Sequence, residues 1–356
     1  MVCAPDDAAF HQYRRRHAAL IRGNAMRAYI IRRLLLIIPT FIGISLLTFM
    51  LIQLAPGSPI AFKLRGMDGS MKADAATQEI IEQTKALYGL DKPLPVQYLL
   101  WLGRMARFDF GNSMKDQRPV IEKIGEALPI TLLFNVLSLI LIYMIAIPLG
   151  LFSSTHSGTW QDSTLTFSLF LLYSMPAFWV AMLLVLFLGG GEYLNLFPIQ
   201  GLHSADADSY SPLMRLLDLL WHMALPLFCM TYGGLAFLSR YMRSGMLDVL
   251  RQDYIRTARA YGFSEKTVTW KYALRNALIP IVTLLGGLLP GLIGGSIIIE
   301  TIFSIPGMGR LAFEAVLSRD YPLIMGDVTI VALLTLAGLL LSDILYVFVD
   351  PRIKLG

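Results

Sequence analysis

The sequence predicts an all-α integral membrane protein with six transmembrane helices and an external helical segment after the first. Hydrophobic residues make up 55% of the 356 residues, charged ones only 15%, and the mean hydropathy is +0.59. The apolar residues fall in long unbroken runs, which suits a bilayer better than a water-facing core. A spanning helix needs roughly 20 apolar residues to cross about 30 Å of hydrocarbon. Residues 34–54, 128–152, 165–188, 219–238 and 277–299 meet that length, and 322–349 makes a sixth span bracketed by Asp327 and Asp343. The first run is too long for a signal peptide, and no small-x-small cleavage site follows it.

Basic residues beside the spans set the expected orientation. Arg27, Arg32 and Arg33 precede the first helix, and Arg240, Arg243, Arg251, Arg256, Arg259, Lys266, Lys271 and Arg275 follow the fourth. By the positive-inside rule both termini and the fourth-to-fifth loop are cytoplasmic. The segment 56–127 also carries many Lys and Arg, yet long translocated segments escape the rule. The net charge of +5 fits basic loops beside anionic lipid and does not call for nucleic acid.

The chain divides into 1–25, a first span within 26–55, an external segment 56–127, a membrane domain 128–350 and a cytoplasmic end 351–356. Residues 1–25 lack apolar periodicity and read as a disordered extension, or as an untranslated stretch ahead of a start at Met26. In the external segment, 76–90 places Ile80, Ile81, Thr84 and Leu87 on one helical face, and 96–107 restarts as a second helix after Pro93 and Pro95. This reads either as a membrane-hugging cap or as a surface that also meets a substrate-delivering protein.

Prolines stand in most spans: Pro39, Pro148, Pro176, Pro226 and Pro290. In the fifth, Gly287, Gly291 and Gly295 recur every fourth residue, a helix-packing face that can also border a pathway. Asp327, Asp343 and His222 are read as terminal anchors, since no chain of titratable groups crosses the membrane. Of the two cysteines, Cys229 reads as a small core hydrophobe; with Cys3 it makes no redox or metal pair.

No phosphate-cradling G-x-x-x-x-G-K-[ST], H-E-x-x-H, G-x-S-x-G or C-x-x-C occurs. The expectation is therefore no catalytic residue, no metal and no cofactor on this chain, with any energy source carried by another. The place for such a source to dock is the loop 240–276. Helix formers run to Tyr261, Gly262 supplies a left-handed stop, and Ser264 caps a second helix to about Asn276. A rigid basic corner suits force transmission, although a solvated positive-inside loop has the same composition.

The run Asp253-Tyr254-Ile255-Arg256-Thr257-Ala258-Arg259-Ala260-Tyr261-Gly262-Phe263 closely resembles the "EAA" loop of ABC importer permeases in its dipeptide/oligopeptide variant. Further segments resemble the first, B-type permease of that group in order along the chain. They are Arg32-Arg33-Leu34, Ala55-Pro56-Gly57-Ser58-Pro59 (with Ser58 where Asp is usual), Gly89-Leu90-Asp91-Lys92-Pro93, Phe110-Gly111-Asn112-Ser113, Glu300-Thr301-Ile302-Phe303 and Arg319-Asp320-Tyr321-Pro322. Trp221-His222 and Met230-Thr231-Tyr232-Gly233-Gly234 look most like the subgroup for oligopeptides and microcin-type peptides.

The resemblance implies a type I importer fold in a bacterial inner membrane. It implies a second homologous permease, two ATPase subunits that bind ATP and Mg, a periplasmic peptide-binding protein and a peptide substrate. In it, Asp253, Tyr254, Arg256, Thr257, Ala258, Arg259, Ala260, Tyr261, Gly262 and Phe263 form the coupling element that meets an ATPase. The alternative from another class is a nucleotide-independent channel or secondary carrier.

Overall fold

The apolar runs fold as helices because hydrocarbon offers the backbone no water, and a helix satisfies its interior N–H and C=O groups within one segment. A computed structural model describes residues 7–54, 92–189 and 193–349, with side chains from Tyr29 to Ile344. Its elements are α1 Asp7–Leu54, α2 Leu94–Met105, α3 Val120–Thr155, α4 Trp160–Ser174, α5 Ala177–Leu184, α6 Pro212–Leu250, α7 Asp253–Ala260, α8 Leu274–Leu288, α9 Ile297–Ile302, α10 Met308–Ser318 and α11 Tyr321–Val349. No strand occurs among the described residues.

Among the described residues five helical stretches are long and apolar enough to span, and the bent pair Trp160–Ser174 and Ala177–Gly189 brings the number to six if it is one span and not a re-entrant loop. The expected third span is thus not straight: it breaks by 94° between Ser174 and Ala177. Pro176 has no N–H to give, and it forces Met175 into extended backbone at φ −85°, ψ 126°. The Tyr232 hydroxyl donates to the freed Met175 carbonyl at 2.6 Å, so the break is satisfied from α6.

The fifth span also departs from expectation. A one-turn helix at Glu265–Thr267 and a wide turn at Val268–Ala273 lead into α8, which tightens at Leu289–Leu292 and then stops. Residues 293–296 are not helical. Gly287, Gly291 and Gly295 therefore share no single helix face. Pro290 removes a donor, and Gly291, Gly294 and Gly295 each weaken a helix by about 1 kcal/mol relative to alanine. Gly287 and Gly291 are exposed, while Gly295 lies where a Cβ would strike Glu300 Oε1 and Gly309 N.

Two boundaries move outward. α3 begins at Val120, ahead of the expected 128, and α6 runs on to Leu250, so residues 240–250 continue the fourth span instead of forming a separate helix. α1 begins at Asp7, so residues 7–25, read from the sequence as a disordered extension or an untranslated stretch, are helical; Ala8, Ala9, Ala18, Ala19 and Leu20 are strong helix formers. The amphipathic helix expected at 76–90, the motifs at 55–59 and 89–91 and the end 351–356 lie outside the described residues.

The most extensive helix contact joins α3 to α6. It depends on small residues: a Cβ on Gly150 would lie 2.5 Å from Ser239 O and 2.6 Å from Met242 Cβ. Leucine at Gly150 is expected to destabilise the α3–α6 pair by at least about 2 kcal/mol through overpacking. Thermal unfolding of the solubilised protein measures this, and an unchanged midpoint contradicts the packing. Elsewhere α1 lies against α11, where Arg33 Nε meets Asp343 Oδ2 at 3.2 Å.

Candidate coupling site

The elbow after α6 is built from a short amphipathic helix. Within α7 only Ile255 and Ala258, one turn apart, are buried; Ile255 is fully so. They pack with Met242, Met246, Val268, Ala273 and Ala277, which ties the elbow to α6 and α8 together. The polar positions of α7 face outward. Asp253 pairs with Arg256 at 3.5 Å, the Thr257 hydroxyl donates to Asp253 O at 3.0 Å, and Ala260 is exposed.

The turn is fixed as the sequence anticipates. Gly262 adopts φ +78°, with its N–H on Arg259 O at 2.9 Å, and Ser264 accepts from Thr267 N. Nothing lies within 4 Å of a Cβ on Gly262, so backbone conformation alone demands glycine there. Arg259 clamps the far side, donating from Nε and Nη2 to Glu265 at 2.8 and 3.2 Å. That hydrogen bonding raises the Arg259 pKa above its ordinary value. Asn276 Nδ2 donates to the Tyr254 hydroxyl at 2.8 Å, and Phe263 packs 5.5 Å from the Tyr272 ring.

All ten predicted elbow residues thus sit on one corner, with Tyr261 at its tip, 79% exposed. Sequence reasoning left two contributors off the site: the anchor Ile255, signalled by its i, i+3 spacing from Ala258, and the exposed Trp270.

The basic residues leading to the elbow are largely committed. Arg243 donates to Asp162 from Nε at 2.9 Å and from Nη2 at 2.6 Å, and Asp162 also accepts from Ser153 Oγ and, at 3.1 Å, Gly158 N. Arg240 lies 4.1 Å over the Phe170 ring. These contacts bind the α3–α4 turn and α4 to the lower part of α6, so the elbow grows from a braced base.

At the opposite end, separated motifs meet. Asp320, wholly buried, accepts from Ser113 Oγ, Met114 N at 3.0 Å and Lys115 N at 3.4 Å, fastening the 110–119 loop to the start of α11. Asp116 of that loop is met by Lys123 of α3 at 2.7 Å. Burial opposes ionisation of Asp116, but Lys123, Ser113 and the Arg118 N–H outweigh it and bring its pKa to about 2. A depressed carboxyl stabilises the fold above its unfolded value, and that stability is lost as pH falls from about 4 through about 2. Hydrogen-exchange protection of residues 113–120 should therefore hold from pH 5 to 8 and decline only below about pH 4. Loss of protection between pH 8 and 5 contradicts this. The group is 39% exposed, so the effect stays under about 1 kcal/mol.

Two expected anchors are corrected. Asp327 sits in the second turn of α11, only 5% exposed, with Oδ1 lacking a hydrogen-bond partner among the described residues. His222 is also buried, its Nδ1 2.8 Å from Asp218 O, while Asp218 accepts from Ser204 Oγ at 2.6 Å and Ser204 N at 3.0 Å. Asp218, which also meets His222, pins the preceding loop, so His222 is held within α6 instead of floating at an interface. His222 lies further into its helix than hydropathy suggested because α6 begins at Pro212, ahead of the expected 219. α11 begins at Tyr321, beside the expected 322, and Asp327 is buried because its helix turns it inward. Glu300 is buried as well, taking hydrogen bonds from Thr131 Oγ1 at 3.2 Å, Ser296 N at 3.2 Å and Arg310 N at 2.9 Å.

Apolar spans around an interrupted fifth helix, with a rigid polar elbow at one end, define a multi-pass membrane component. The family model described as binding-protein-dependent transport system inner membrane component matches residues 146–355, and that for the N-terminal part of such components matches 26–135. The chain belongs to this family. It is 42% identical to the oligopeptide transport system permease protein AppB of Bacillus subtilis (strain 168), over 92% of this chain and all of that one. It is 38% identical to the dipeptide transport system permease protein DppB of Escherichia coli (strain K12), over 92% of this chain and 99% of that one. The inner membrane ABC transporter permease protein YejB of Escherichia coli O157:H7 is 35% identical over the same shares.

Proposed function

We propose that the chain is a permease subunit of an ABC importer that carries peptides across a bacterial inner membrane. The names of its relatives support peptide as the cargo. The observation that carries the mechanism is the elbow: α7 is locked to α6 and α8 by Ile255 and Ala258, turned by Gly262 and faced with Tyr254, Arg256 and Tyr261. A short helix so anchored moves as a unit with the spans it joins. Pressed by a partner, it converts partner motion into helix motion.

In this reading the elbow and both termini face the cytoplasm, two ATPase subunits bind ATP and Mg and dock there, and a homologous permease completes the pathway. A periplasmic binding protein delivers the peptide on the other side. The chain is a transport subunit, not an enzyme, and needs no cofactor of its own.

Uptake of radiolabelled tri-alanine by membrane vesicles carrying the assembled system tests the reading. It requires ATP on the elbow side and stops when this chain is deleted. A channel or secondary carrier gives the contrary result, uptake that persists without nucleotide.

A further inference from the structure

Exposed positions on a membrane span ordinarily carry aliphatic side chains, because lipid solvates nothing polar. The half of α6 nearer the elbow breaks that pattern. Its exposed residues after Leu235 are Phe237, Arg240, Tyr241, Ser244 and Asp248, a single stripe at helical spacing. With Phe170 and Tyr173 of α4, the first four of these border a cavity of about 410 Å³ between the two helices.

Arg240 supplies the charge of that cavity, and it is placed unlike its neighbour Arg243. Arg243 meets Asp162 in the first turn of α4. Arg240, one turn back along α6, lies 4.1 Å over the ring of Phe170, which stands roughly 12 Å beyond Asp162 in α4. The guanidinium is thus drawn back toward the apolar run 219–238 instead of out toward the elbow. Stacking occupies its face and leaves its N–H edge unused. Among the described residues Arg240 has no carboxylate partner, and the hydroxyls of Tyr173, Tyr241 and Ser244 make no hydrogen bond. Asp248, on the same stripe, stands about two turns closer to the elbow. The cavity therefore offers an unanswered positive charge beside unpaired hydroxyls, and no acid lines it.

We propose that Arg240, helped by Tyr173, Tyr241 and Ser244, binds the terminal carboxylate of the transported peptide on the elbow side of the pathway. This rests on the peptide-importer reading and adds which part of the cargo the chain recognises. Every linear peptide carries that carboxylate whatever its side chains, and a guanidinium takes it through two parallel N–H donors. A charge drawn toward the hydrocarbon is costly in lipid and marks a water-filled route. Phe237 extends the route: it also borders a cavity of about 280 Å³ between α3, α6 and α8, whose lining carries no charged side chain. A lipid phosphate fits the same donors but belongs at the membrane surface, where no such continuation is needed.

The test uses the assembled transporter in nanodiscs, where both faces are open and peptide reaches the cavity without its binding protein. Ser244→Cys is the smallest change that puts a thiol there, and its modification by a methanethiosulfonate is followed at that position by mass spectrometry. Tri-alanine is expected to slow the reaction about fivefold and its C-terminal amide hardly at all, and the difference should vanish when Arg240→Gln is added. In membrane vesicles Arg240→Gln should cut tri-alanine uptake about tenfold, and Arg240→Lys, which keeps the charge, about threefold or less. Equal protection by acid and amide, protection that survives Arg240→Gln, or a site closed to reagent because the second permease covers it each overturns the assignment. So does protection that follows the phosphatidylglycerol content of the disc in place of peptide, which gives the cavity to a lipid. If the unmodified transporter takes up no tri-alanine, the peptide-importer reading itself falls; normal uptake without an acid–amide difference overturns only the carboxylate site.

Discussion

Replacing Gly262 with valine is expected to cut peptide uptake by about tenfold or more while leaving insertion and assembly intact. The residue holds φ +78°, where a Cβ costs about 1–2 kcal/mol and a branched one more. The space around it is open, so the cost cannot be relieved by moving a neighbour and is not a clash. It is relieved by unwinding the turn, which releases the Gly262 N–H from Arg259 O and parts Arg259 from Glu265. The elbow then yields under load instead of transmitting it. ATP hydrolysis in the reconstituted complex should lose its stimulation by the binding protein. Asparagine, which tolerates the left-handed region, should cost least, alanine more and valine most. Equal uptake and stimulation across the series would contradict the account.

The second large effect is expected at Asp162. This carboxylate is 5% exposed and collects hydrogen bonds from Arg243, Ser153 and Gly158. Asp162→Ala removes hydrogen bonds from Arg243, Ser153 and Gly158 and, with the Arg243 side chain 31% exposed and able to regain water, should destabilise the protein by about 1–3 kcal/mol. Replacing both partners with apolar residues of similar size should cost much less, since removing a buried pair together leaves no orphaned charge. A double-mutant cycle on thermal unfolding measures the coupling; additive losses would show that the pair does not brace the base of the elbow.

The elbow was legible in the sequence because its signals are local. A glycine stop at Gly262 and a serine cap at Ser264 act within one turn of where they are read, whereas the burial of Ile255 and Ala258 against α6 and α8 was not read from their spacing. The spans were legible for a similar reason, since hydropathy over about 20 residues records the solvent each helix meets. Hydropathy does not record continuity. The 94° bend at Pro176 and the unwinding after Pro290 look in sequence like Pro148 and Pro226, which α3 and α6 accommodate in their interiors. What separates them is tertiary: Tyr232 caps the carbonyl freed at Met175, and Asn135 takes those at Leu292 and Gly294.

The buried polar pairs were invisible for the same reason. Asp162 and Arg243 lie 81 positions apart, and Asp320 meets the Ser113 loop across 207. Arg243 counted in the sequence as one more cytoplasmic cation, when it is in fact bonded to a carboxylate. Asp327 looked terminal because the apolar run was read from Pro322, yet its helix turns it inward.

The most direct measurement places a photo-crosslinking residue at Tyr261, the exposed tip of the elbow, in the complete transporter in native membranes. The account predicts an adduct with a nucleotide-hydrolysing subunit whose yield changes when ATP is added. An elbow that crosslinks only to lipid or to external proteins, or reacts with impermeant reagents from outside the cell, would contradict it.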